Sequence, residues 1–302
     1  MNAIKPLTIA DSNFIFSNVP EPDTGEALWV AATSYTLGQE VIRQTTHRKY
    51  KNILAGIDAG LPENTPTRWT ESGVTNKYAA LDTLRNTQST HAESLVMKLM
   101  FTKFIDSIGV IGIGGQSINV KVVSNGTQVY DYTQTVLNRT AVNWYEWAFN
   151  EFRQIESVVR LDLPIFANPE ITLTILNEAG TAQCGGIVVG RKVYIGDIVY
   201  GSSGDDLNFS TFTRAFDGTS TLVPRRSVPT VDGELSLAKE NVDIVRNLKQ
   251  TLNGVPTIWT GLNDDNIDDF FELFLIYGIY KQFSINASYP THAKITLKLE
   301  EF

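Results

Sequence analysis

Ile118-Asn119-Val120-Lys121-Val122-Val123-Ser124-Asn125-Gly126-Thr127-Gln128-Val129-Tyr130-Asp131-Tyr132 is the stretch on which the fold turns. Two runs rich in β-branched and aromatic residues, Ile118 to Val123 and Val129 to Tyr132, flank Asn125-Gly126, a dipeptide suited to the positive φ angles of a tight hairpin turn. Outward from this hairpin the same grammar recurs. Val96 to Ile105 and Ile108 to Ile113 precede it; Ser157 to Leu161, Ile171 to Leu176, Gly186 to Val189, Val193 to Ile198, Phe209 to Arg214, Leu235 to Leu237 and Ala293 to Leu299 follow. Strands this short and numerous, with few helical periods between them, predict a mainly β chain built around a β-sandwich. Two helices are expected within it. Asn143 to Phe152 places Trp144, Trp147, Ala148 and Glu151 at helical spacing, and Lys239 to Leu252 places Val242, Val245, Leu248 and Leu252 on one face before Gly254. Both are expected to cover a sheet end. Asp268 to Tyr280 reads as a short helical turn running into a strand.

With 302 residues, 42% hydrophobic and 19% charged, the chain is long enough for two domains and too apolar to be disordered. Its net charge of −8, with Lys and Arg adjoining only in pairs such as Arg48-Lys49, Arg191-Lys192 and Arg225-Arg226, argues against a nucleic-acid-binding surface, which needs clustered cations. The single cysteine, Cys184, excludes an internal disulfide framework and reads as a small buried hydrophobe before Gly185-Gly186. No apolar run reaches membrane-spanning length, and Met1 to Pro6 lacks a signal-peptide core, so synthesis in a cytoplasm without membrane insertion is expected.

Composition divides the chain into four parts. Residues 1–27 carry Pro6, Pro20 and Pro22 around the apolar run Phe14-Ile15-Phe16, and read as an extended arm that docks on a neighbour. Residues 28–80 space aromatics among Thr, Gly, Pro and Asn, the composition of a small loop-rich β module. Residues 81–94 are a polar linker, and 95–302 form the sandwich-like domain.

Within the module the order Trp29, Tyr35, Gly38, Val41, Tyr50, Pro66, Trp69, Gly73 has two physical readings. Aromatic rings on a small rigid scaffold offer a flat apolar platform to a sugar, and the same rings can be the module's own core. Trp29 to Val41, then Tyr50, then Pro66-Thr67-Arg68-Trp69 resemble the small three-stranded chitin- and cellulose-binding modules found in chitinases and phage tail proteins. The resemblance implies a carbohydrate site at Trp29, Tyr35, Tyr50 and Trp69. It also implies a neighbouring pair of exposed aromatics near the last Trp, whereas here Arg68 and Thr70 flank Trp69.

A second resemblance lies in Gly190 to Gly201, Asn208-Phe209-Ser210, Phe216-Asp217-Gly218, Arg225-Arg226 and Tyr277 to Phe283, which are similar to structural proteins of tailed bacteriophages. It implies a virion component of the tail, baseplate or neck, present in several copies, partnered by other virion proteins and in contact with host-surface polysaccharide. The alternative is a carbohydrate-binding adhesin; a glycan-degrading enzyme comes third. No motif for catalysis or for a cofactor is found. Gly112-Ile113-Gly114-Gly115 lacks the Lys-Ser/Thr of a phosphate loop and reads as a tight turn between strands. Asn263 to Asp269, with Asp264, Asp265 and Asp268, is the densest oxygen cluster, but without an EF-hand's glycine and terminal Glu it reads as the charged start of a helix rather than a Ca²⁺ site. His47, His91 and His292 lie in no ligand motif.

Overall fold

Alternation at the central hairpin translates directly into burial. In the strand Ser117–Ser124, Ile118, Val120 and Val122 point inward and their neighbours do not, while Asn125 (φ 49°) and Gly126 (φ 80°) take the left-handed conformations that close the turn. The computed structural model describes residues 1–84, 86–139, 143–261, 271–287 and 289–302. With 53% of the chain in strands and 11% in helices, the protein is mainly β and sandwich-like, as the strand count predicts.

In chain order the elements are β1 (Asn2–Pro6) and β2 (Phe14–Ser17), then five short strands, β3 (Thr33–Tyr35), β4 (Glu40–Arg43), β5 (Arg48–Asn52), β6 (Gly56–Asp58) and β7 (Trp69–Val74). Next come β8 (Ser89–Met100), β9 (Ser107–Ile111), β10 (Ser117–Ser124), β11 (Thr127–Thr135), β12 (Leu137–Asn138), helix α1 (Trp144–Phe149), β13 (Arg153–Gln154), β14 (Ser157–Arg160), β15 (Pro169–Cys184) and β16 (Gly186–Tyr194). The last part holds β17 (Asp197–Ile198), β18 (Ser203–Asn208), β19 (Thr211–Arg214), β20 (Ser220–Val223), β21 (Ser227–Ala238), helix α2 (Val242–Thr251), β22 (Thr257–Thr260), β23 (Ile276–Asn286) and β24 (His292–Glu301).

Among the described residues, ten strands form one sheet in the order β14-β9-β16-β1-β22-β23-β24-β21-β17, with β18 also on β21, and five form a second in the order β11-β10-β15-β8-β2. The two pack face to face. Leu95, Met97 and Leu99 of β8, Ile118, Val120 and Val122 of β10, and Ile171, Leu173 and Ile175 of β15 meet Ile108, Val110, Val158, Ile187 and Val189 of the larger sheet. The other face of these large-sheet strands is buried too, through Ile4, Ile111, Val159, Val188 and Ile258. Burial on both faces explains why Gly186 to Val189 reads as a continuous apolar run rather than an alternation. The far half of the large sheet is covered by α2, whose Val245 and Leu248, with Leu252 just past its end, lie on Leu235, Leu237, Ile295 and Leu297, the helix face the spacing predicts.

Several expectations change. Residues 1–27 are not a free arm: β1 is an interior strand paired with both β16 and β22, and β2 pairs with β8 at the edge of the five-stranded sheet. Of the docking residues, Phe14 is buried in the chain's own core, and Ile15 and Phe16 stay exposed on the edge strand. The polar linker is shorter than 81–94, because β8 already begins at Ser89. Helix α1 forms where expected, but none of its residues is buried, so among the described residues it is not packed down on a sheet end. The expected turn before the last hairpin is present in the described part, Phe271 to Leu275, ahead of β23. Cys184 is buried, and burial pushes its thiol up to about 12, as suits a core residue.

Candidate functional site

The module is built on β4-β5-β7, with β3 and β6 paired beside them. Inward residues of these strands, Tyr35, Val41, Tyr50 and Trp69, form a core of their own. The Tyr35 and Trp69 rings meet edge to face at 5.0 Å. Trp69 Nε1 donates to Asp58 Oδ2 at 2.7 Å, and the Tyr35 hydroxyl accepts from Val30 N–H at 2.7 Å and donates to Val30 O at 2.9 Å. Tyr35, Tyr50 and Trp69 are only 3%, 6% and 2% exposed. This corrects the sugar-site expectation at these three positions: with so few residues to bury, the module spends these rings on its interior, where they offer no platform. Trp29 is half-buried at the margin of that core, with the Arg43 guanidinium 5.1 Å above its ring.

Arg68, where a second stacking aromatic is expected, turns its guanidinium toward Asp58 at 3.6 Å. Burial of Asp58 opposes its ionisation, but the bonds from Trp69 and the Gly60 N–H, with the Arg68 charge, outweigh it and hold the carboxyl below the usual range. Asp58 thus organises the module's interior polar groups.

The segment between β2 and the module ties the module to the sandwich. Glu21 meets His47 Nδ1 at 2.9 Å and accepts from the Thr75 hydroxyl at 2.9 Å. Glu26 accepts from the Asn76 N–H at 2.9 Å and the Asp23 N–H at 3.0 Å, and pairs with Lys49 at 3.1 Å. The Tyr78 ring stacks on His47 at 3.9 Å and packs edge-on against Phe14. Its hydroxyl, donating to Asp11, is pushed well above the ordinary range, first by burial and then by that acceptor.

Two projections carry large apolar side chains into solvent. In α1, capped by Asn143 Oδ1 accepting from the Glu146 N–H at 2.9 Å, Trp144, Tyr145 and Phe149 are 85%, 73% and 70% exposed; Trp147 and Phe152 are also open, with the Arg139 guanidinium over both rings. The second projection is the hairpin β19–β20, a sheet of two strands exposed along its whole length, bearing Phe212 and Leu222 with Phe216 at its tip. A lone two-stranded hairpin is marginal in water, and clustered exposed apolar side chains are candidates for an interaction surface. Sequence reasoning identified helix α1 but not its exposure. The signal was present: aromatics at 144, 145, 147, 149 and 152 surround a helix instead of lining one face.

Among the described residues no group of three or more His, Cys, Asp or Glu side chains is placed to hold a metal ion. Asp264, Asp265 and Asp268 lie outside the described residues. Gly112 to Gly115 form the crossing between β9 and β10, one strand in each main sheet, and open no helix. Comparison with protein-family models and with curated proteins finds no match to this chain.

Proposed function

We propose that the chain is a structural protein of a tailed-bacteriophage virion, in the tail, baseplate or neck, which assembles in several copies and with other virion proteins. The sequence likeness from Gly190 to Phe283 supplies the virion context. The observation that carries the assembly role is helix α1, an ordered and capped element that buries none of its own residues and displays four large aromatic side chains, with Phe152 exposed just beyond its end. Such an element lowers the free energy of the particle only when a partner covers it. The β19–β20 hairpin supports the same reading. The adhesin alternative gains nothing from the module, whose Tyr35, Tyr50 and Trp69 are interior.

Sedimentation and light scattering of the purified chain, alone and mixed with extracts of assembling particles, test this. A Trp144→Ser/Trp147→Ser double variant is expected to keep the thermal midpoint, since both side chains are exposed, and to lose association by tenfold or more. A chain that stays monomeric in every mixture, or a variant that associates as the parent does, overturns the proposal.

A further inference from the structure

Beside α2 the protein carries a groove of about 690 Å³, within the range of about 300–1,000 Å³ typical of small-molecule sites. One wall is the flank of the helix, with Lys239, Arg246 and Lys249 and a single carboxylate, Asp243. The other is the turn from β23 to β24, with Ile285, Tyr289 and His292.

Charge sets this groove apart. On the adjoining strands every lysine has a carboxylate: Lys281 with Glu300 at 3.3 Å, Lys294 with Glu234 at 2.7 Å and Lys298 with Asp232 at 2.9 Å. Lys239, Arg246 and Lys249 form no ion pair with any described residue. In a chain of net charge −8, three cations without an ion pair, one of them Lys249 lying 5.9 Å from the Phe283 ring centroid, line one cavity and concentrate positive potential beside strands whose own lysines are paired.

Shape adds a second element. The Tyr289 ring is 56% exposed, lines the groove and lies nearly parallel to His292, 19° between planes and 4.3 Å between centroids, so the imidazole backs one of its faces. A flat, backed aromatic ring matches the C–H face of a pyranose, and Arg246 offers a fork for a carboxylate. An inorganic anion would use the cations and leave Tyr289 idle. An acidic peptide would supply charge but no rigid ring to stack.

We propose that the groove between α2 and the β23–β24 turn is a binding site for an acidic saccharide, with a sugar ring on Tyr289 and its carboxylates on Arg246, Lys249 and Lys239. This site is separate from the aromatic module and independent of the assembly reading. Isothermal titration of the full chain with hexagalacturonate, with cellohexaose as neutral control and hexaglutamate as acidic-peptide control, tests it. Hexagalacturonate is expected to bind, cellohexaose to bind at least tenfold more weakly, and Tyr289→Ala and Arg246→Gln each to weaken the acidic sugar by tenfold or more at unchanged thermal midpoints. The Trp144→Ser/Trp147→Ser variant should bind it as the parent does, which separates this site from assembly. Absence of hexagalacturonate binding overturns the proposal. So does hexaglutamate binding of equal strength with Tyr289→Ala without effect, the mark of a general acidic-peptide surface.

Discussion

At the scale of single residues, Trp69 and Asp58 show how a small module uses a polar pair inside an aromatic core. The indole N–H would be a buried orphan without the carboxylate, and the carboxylate is held ionised by the indole, the Gly60 N–H and Arg68. The linkage has a definite sign. A carboxyl lowered in the folded protein stabilises it above the unfolded value of about 3.9, and this contribution is lost as pH falls through the folded value. Asp58→Asn is therefore expected to weaken the module by about 1–3 kcal/mol at neutral pH and to reduce its acid sensitivity below about pH 4. Denaturant titrations between about pH 3 and pH 7, followed by module hydrogen exchange, check both effects; an Asn variant as acid-sensitive as the parent would refute the assignment.

At the scale of elements, β1 depends on a close approach that no sequence pattern announces. A Cβ on Gly190 would lie 2.0 Å from Lys5 O, across the β1–β16 pair, so no side chain fits without parting the strands. Gly126, at the tip of the β10–β11 hairpin, has φ +80° and nothing within 4 Å. Gly126→Ala should cost only the left-handed strain of about 1–2 kcal/mol. Gly190→Ala adds backbone collision to a buried strand and should exceed that, lowering the thermal midpoint further. Thermal denaturation of the two variants side by side gives the order, and a reversed order would show that β1 contributes little.

At the scale of the molecule, the module has an aromatic core distinct from the sandwich core, and the two are joined by polar contacts together with Tyr78 and Ala80, which pack into the sandwich core. Its core of Tyr35, Val41, Tyr50 and Trp69 is separate from the sandwich core, and Glu21, Glu26, His47 and Asn76 join the two. Glu26 is nearly buried and satisfies two backbone N–H groups and Lys49. Glu26→Ala leaves the Asn76 and Asp23 N–H groups without their acceptor, a cost of about 1–3 kcal/mol, while Lys49, 31% exposed, can turn to solvent. Hydrogen exchange should rise across residues 28–80 and stay slow in β8, β10 and β15. Equal loss of protection in both regions would mean that they unfold as one unit.

Much of the architecture was legible because it is local. The Asn125-Gly126 hairpin, the short strands around it and the α2 face of Val245, Leu248 and Leu252 follow from turn chemistry and side-chain period, which neighbouring residues fix among themselves. Which aromatics lie inside was not legible, because burial depends on surfaces distant in the chain. Tyr35 and Trp69 look like a platform in sequence and become core once β3 and β7 fold together, whereas Trp144 and Trp147 look like a core face and are exposed among the described residues. The same holds for residues 1–27, which read as an arm while β1 finds its partners only at Tyr194 and Thr260. The sequence by itself determined the class of fold and its turns through short-range stereochemistry. The tertiary structure alone decided which surfaces are left uncovered, because exposure is what remains after every long-range contact has formed.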